Sequence, residues 1–403
     1  MLLFVMLDGL RHDYITRDDS PYLYELAGEG LSGSAVPSFG FEPDAAYLAG
    51  LQPDEADGGA MYWLEPDRSP FRFTRFLPVI FDKLPRRPAR FVRKGIRLIV
   101  QLSAHEARTR YWASPAWIPL PLLSRFGFSN TRLMYEPGFL ATPTVFDHLR
   151  DAGRPWYFHG MPNYRVSSAK VCGRFLAEFT GLDDYAFLHI GDLDGAGHRY
   201  GPWSDERKAA LRRVDGVLAQ IIAHACDKAG QVDLLILGDH GMVQVEHTLD
   251  VRPAIQRLKA RGLAFDYFID ATLFRCWSQD ASVLAAIRDE FKRFSGLIEI
   301  GQTESLRYGL CYRHNRFWDA CWQAESGLMF TPNFHNNHER LLGMHGYLPE
   351  CTDNRSGFVL SSPRLPASMH GQCLDGVDMR RFFATQLALL NLPQELRYSG
   401  SLV

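Results

Sequence analysis

Three short apolar runs, Leu2–Leu7, Tyr185–Ile190 and Asp233–Leu237, each break off at a glycine beside an acid. That repeated ending constrains the fold more than any other feature of the chain. Runs with almost no polar alternation are buried on both faces, as in the strands of a parallel sheet covered by helices. A fourth run lies at 357–360, and helical patterns fall at 143–152, 205–229, 281–294 and 379–390. Pro and Gly punctuate joins such as 152–155 and 362–366. The alternation predicts an α/β fold of three layers around a mostly parallel central sheet. Sheets of this kind bind ligands outside the carboxyl ends of their strands, where these acids emerge.

Composition narrows the class. At 403 residues, with 46% hydrophobic and 22% charged, the chain can bury a large core and is no disordered segment. A net charge of −2 argues against a nucleic-acid partner. Seven scattered cysteines without a C-x-x-C pair argue against a disulfide framework or a thiolate zinc site. The charge is nevertheless uneven. Residues 68–110 hold twelve Lys or Arg against Asp82 and Glu106, interleaved with Phe71, Phe73, Phe76, Phe81, Phe91, Tyr111 and Trp112 and followed by Trp117. We read 55–140 as an inserted basic, aromatic lid within a catalytic domain spanning 1–403. It is either a solvated cover or a docking surface for an anionic membrane or a lipid phosphate. A second, smaller insertion is expected at 265–336, with a strand at 267–274. The first apolar run is too short for a signal segment and no run reaches the length of a membrane span, so the expectation is a cytoplasmic chain, peripheral at the membrane if the lid binds lipid.

The candidate chemistry lies at the strand ends. Asp8 precedes Gly9; Asp239 and His240 stand between Gly238 and Gly241. Asp194 and His198 lie four apart across what reads as a glycine-rich turn, and His345 is followed by Gly346. Singly, an Asp-Gly is usually a turn and a lone His is usually hydrogen-bonded scaffolding; Asp192 is a loop residue or an outer acceptor. Together, three carboxylates and three imidazoles make two half-shells for divalent ions, zinc foremost, with manganese also accommodated by oxygen and nitrogen donors.

The N-terminal strand with Asp8-Gly9, the 37–53 run, Asp194-x-x-Gly197-His198 with Gly201-Pro202, Gly238-Asp239-His240-Gly241-Met242 and Met344-His345-Gly346-Tyr347 resemble the alkaline phosphatase superfamily, most closely its nucleotide pyrophosphatase/phosphodiesterase branch. The order of motifs runs nearly end to end, with the lid and the second insertion as additions. The resemblance implies that Asp8, Asp239 and His240 hold one ion and Asp194, His198 and His345 the other. The pair would sit ~4 Å apart, clamping the oxygens of a displacement at phosphorus. It implies a phosphodiester, other phosphoester or pyrophosphate substrate, lipid-linked if the lid meets a membrane.

One departure stands out. The family's nucleophile lies ten residues before the glycine of a Thr-Gly-Leu-like turn; here that turn is Ala49-Gly50-Leu51, and the matching position is Gly40. The nearest hydroxyl is Ser38. The family's downstream phosphate-binding Asn is also missing from 57–63. Three readings follow: Ser38 acts as a displaced nucleophile; water activated by the metal pair attacks directly, with Glu42 or Asp44 orienting it or protonating the leaving group; or the chain is a non-catalytic, metal-binding homologue serving as a membrane-surface or lipid-phosphate adaptor. Sulfatase chemistry lacks its Cys-x-Pro-x-Arg signature near Gly40, and phosphoglycerate mutase-like chemistry would want Ser at that position.

Overall fold

In the computed structural model, residues 1–106, 109, 115–160, 166–336, 340–393 and 400–403 are described. Arg108, Arg110, Tyr111 and Trp112 of the basic stretch lie outside them. The central sheet has seven strands: β1 (Leu2–Leu7), β2 (Leu31–Val36), β3 (Trp156–His159), β4 (Tyr185–Ile190), β5 (Asp233–Leu237), β6 (Ser356–Ser361) and β7 (Cys373–Asp378). Their spatial order is β7-β2-β6-β5-β1-β4-β3. β1 lies between β4 and β5, parallel to both; β6 alone runs antiparallel to its neighbours. The four apolar runs of the sequence are thus contiguous in space, with β1 near the middle.

Alternation along β1 explains the layers. Leu2, Phe4 and Met6 pack on one face, against helices Asp44–Ala49, Val145–Asp151 and Arg381–Leu389. Leu3, Val5 and Leu7 pack on the other, against Pro21–Glu29, Ser168–Glu178 and Asp205–Ala229. All six are buried. Side chains pointing alternately to two covered faces need no polar position, which is why the run carries none. The three-layer α/β architecture is the one the sequence predicts.

The additions differ in detail from expectation. The stretch 267–274 is not one strand: Asp266–Ile269 and Leu273–Trp277 pair antiparallel, with the Asp270 N–H donating to the Leu273 carbonyl at 2.8 Å. Asp270 turns the chain, and an apolar run is blind to a tight hairpin inside it. These strands continue through Ala320–Ala324 to Leu297–Glu299 in a four-stranded antiparallel sheet. The 55–140 segment contains a short strand pair, Tyr62–Leu64 with Phe126–Phe128, and a long helix, Arg86–Ser103. The 55–140 and 265–336 segments share one apolar cluster, in which Tyr62, Phe71, Ile96 and Phe126 meet Phe268, Trp277 and Trp322.

Candidate metal centre

Six side chains converge at the carboxyl edge of the sheet. Asp8 leaves β1 into Gly9, whose φ of +77° turns the chain; a Cβ there would lie 3.0 Å from the Asp194 Cα. The Asp194 N–H donates to the Asp8 carbonyl at 3.1 Å. Asp239, past the end of β5, accepts from the Gly9 N–H at 3.1 Å and from the His240 N–H at 2.9 Å. Asp194 and His198 sit in helix Asp192–Tyr200, not in an open turn, so their spacing of four stacks them on one face, His198 Nε2 at 3.0 Å from Asp194 Oδ1. His345 follows strand Gly343–Met344, which pairs antiparallel with Val243–Gln244 just beyond Asp239 and His240. That long-range pairing brings the His345 ring onto His240, centroids 3.5 Å apart and planes 6° from parallel.

The six form two groups, Asp8 with Asp239 and His240, and Asp194 with His198 and His345. Within each, one donor atom per residue lies within 4.8 Å of the others; no third such group occurs among the described residues. The donors suit divalent cations. His198 Nδ1 is 2.9 Å from the Gly343 carbonyl and His240 Nδ1 is 2.8 Å from the Gly241 carbonyl. A carbonyl can only accept, so each Nδ1 carries a proton, and each Nε2 faces the carboxylates, at Asp194 for His198 and Asp8 for His240. Burial and the repulsion of His240 and His198 hold the His345 imidazole well below its ordinary pKa. The carboxylates diverge. Burial opposes ionisation of Asp8, but hydrogen bonds to His189 and His240 hold it well below the ordinary range. Burial and the neighbouring Asp8 push Asp239 up to about 7. Despite burial, Asp239 and Asp8 raise His240 to about 10. Three half-buried acids beside three imidazoles form a donor set that could hold divalent cations.

These groups floor a cavity of about 590 Å³. Its walls include Phe41, Tyr47, Met61, Trp117 and Met134, and also Arg86 and Arg90 of the lid helix. Glu42 and Asp44 line it as well. Glu42 Oε2 accepts from Ser129 Oγ at 3.2 Å, and Asp44 Oδ1 from the Tyr47 hydroxyl at 2.7 Å; neither caps the Asp44–Ala49 helix. Ser38 is not brought here. It lines a second cavity with Gln52, Tyr308 and Arg380. Gly40 has φ +97°, and a Cβ on it would lie 2.0 Å from the Gly59 carbonyl oxygen, so this backbone admits no side chain there. Asp192 serves the scaffold, accepting from the Ser168 N–H at 3.0 Å and its hydroxyl at 2.5 Å.

Sequence reasoning passed over His189, whose Nε2 is 3.3 Å from Asp8 Oδ2. Its signal was present: one polar residue in the apolar β4 run, in register with Met6 of the cavity wall. Asp270 and His335 also reach the wall, paired at 2.9 Å. Nothing local marks them, because they come from the second insertion.

Residues 165–348 match the sequence model of the family described as Type I phosphodiesterase / nucleotide pyrophosphatase. A stretch of 77 residues is 43% identical to the Homo sapiens ectonucleotide pyrophosphatase/phosphodiesterase family member 7, covering 18% of this chain and 16% of that protein. Over whole chains, human ectonucleotide pyrophosphatase / phosphodiesterase 5 superposes with a TM-score of 0.70 at 16% identity, covering 99% of this chain and 97% of that one. An inactive form of the murine counterpart, in complex with AMP, gives 0.68 at 17% identity over the same shares. The overall fold is the one these solved structures share, and within it residues 165–348 are similar to the Type I phosphodiesterase / nucleotide pyrophosphatase family.

Proposed function

We propose that the protein is a two-metal hydrolase of phosphodiesters or pyrophosphates, with water as the attacking group. The observation that carries this reading is the pair of side-chain trios with His198 and His240 each tied through Nδ1 to a carbonyl. Asp8, Asp239 and His240 would hold one divalent ion and Asp194, His198 and His345 the other, zinc or manganese. Bound there, the ions would supply Lewis-acid polarisation of a phosphoryl oxygen and acidify water. The chain's own residues do the rest. Arg86 and Arg90 offer charge to the anionic part of a substrate, and the apolar wall of Phe41, Met61 and Trp117 receives a bulky leaving group. Glu42, held on the wall by Ser129, orients water or passes a proton to the departing oxygen. Gly40 leaves no side-chain nucleophile at the usual place, which favours one displacement over a covalent intermediate.

Metal content by elemental analysis, measured together with hydrolysis of a chromogenic phosphodiester, tests the reading. Asp239→Ala and His345→Ala should each lower bound metal and reduce the rate by about a hundredfold or more, since loss of even an outer-shell partner costs about 10–100-fold. Full turnover in a metal-free variant would refute it. Wild-type protein that binds both ions without turning over any diester would favour the non-catalytic homologue.

A further inference from the structure

Helix Arg86–Ser103 has three faces where a surface helix has two. Ala89, Ile96 and Val100 turn inward. Arg86 and Arg90 line the cavity, and at 3.6 residues per turn Arg97 falls on the same row, with Arg87 and Lys94 beside it. The third face should be polar, yet Phe91, Leu98 and Leu102 are 73%, 55% and 80% exposed. Phe76 and Ile80, just ahead of the helix, are 75% and 64% exposed. Among the described residues, half of the dozen exposed large apolar side chains fall between 76 and 102. Single exposed apolar residues need no explanation; a concentration beside a basic row does.

We propose that this face is an interfacial anchor that seats the protein on an anionic lipid bilayer, Phe91, Leu98 and Leu102 entering the headgroup–acyl boundary while Arg87 and Lys94 meet lipid phosphates. Charge selects the occupant. Twelve cations against two acids over 68–110 suit an acidic lipid surface. A second copy of this chain is disfavoured, because a two-fold contact would set the same cationic segments against each other. Docking on this face brings the Arg86 and Arg90 side of the cavity to headgroup level. That consequence rests on the hydrolase reading; the docking itself does not.

Co-sedimentation with vesicles of phosphatidylcholine containing phosphatidylglycerol, against phosphatidylcholine alone, tests the proposal without requiring turnover. Binding to the anionic vesicles should be tighter by about tenfold or more and should weaken with added salt. The triple variant Phe91→Ser, Leu98→Ser, Leu102→Ser and the double variant Arg87→Glu, Lys94→Glu should each lose about tenfold in binding. Both should keep hydrolysis of a soluble chromogenic diester, or, if the protein turns none over, an unchanged circular dichroism spectrum. Should the triple variant misfold, the double variant, altered only at exposed charges, decides. Absence of vesicle binding, equal binding by a folded variant, or an apolar stripe that instead mediates self-association in light scattering would overturn the proposal.

Discussion

At the scale of single residues, Gly40 and Ser38 bear most directly on the proposed attack at phosphorus. The positive φ of Gly40 and the Gly59 carbonyl against it mean that restoring a hydroxyl there is not a repair. Gly40→Thr should destabilise the protein by ~2 kcal/mol or more, from the left-handed backbone and the contact together, and should raise no activity. A thermal melt and a diester assay check both. Ser38→Ala, altering a residue of the other cavity, should leave turnover within about twofold, because surface-class changes away from a site are nearly neutral; loss of turnover with both ions retained would make Ser38 the nucleophile. The metal-ligand candidates were legible in the sequence because each lies within a residue or two of glycine, in segments that mostly follow a buried strand. His189 was legible only as a polar break in such a strand. Asp270 and His335 were not legible at all, since no local pattern reports which distant insertion leans over a cavity.

At the scale of elements, the second insertion is anchored by a buried ion pair. Arg275 on Leu273–Trp277 is 0% exposed, and its Nε donates to Asp270 Oδ2 at 3.0 Å. Burial raises the Asp270 carboxyl, but the Arg275 guanidinium and then His335 outweigh it and hold its pKa below the ordinary value. A depressed folded-state pKa means that the ionised form stabilises the fold. That contribution is complete above the unfolded value of about 3.9 and fades as pH falls through the lower folded value. Asp270→Ala should cost ~3–5 kcal/mol near neutrality, because it strands a buried guanidinium. Asp270→Asn should flatten the acid limb of the stability curve. Denaturant melts across pH check both, and an unchanged acid limb in the Asn variant would discount the pair. The hairpin that presents Asp270 was hidden inside one apolar run, because burial pattern alone does not distinguish a long strand from two short ones.

At the scale of the whole molecule, the 55–140 and 265–336 segments, more than a hundred residues apart along the chain, close on one apolar cluster and line the cavity together. They should therefore melt as a unit. Phe126→Ala, removing a fully buried ring from that shared core, should cost ~3–5 kcal/mol and lower a single calorimetric transition. A separate early transition with the rest unmoved would show that the insertions fold independently. No helix among the described residues is long and apolar enough to cross a membrane.

Local chain chemistry alone carries the central sheet and the candidate donors. Strands buried on both faces must be written in uninterrupted apolar residues, and loops that bring ligands close to backbone must carry glycine, so both leave a local imprint. Only the tertiary structure decided that Asp194 and His198 share a helical face, that Ser38 faces away, that Gly59 excludes a side chain at Gly40, and that two insertions share one core. Those outcomes depend on contacts between segments far apart along the chain, and a contact of that kind leaves no periodicity in either partner for the sequence to display.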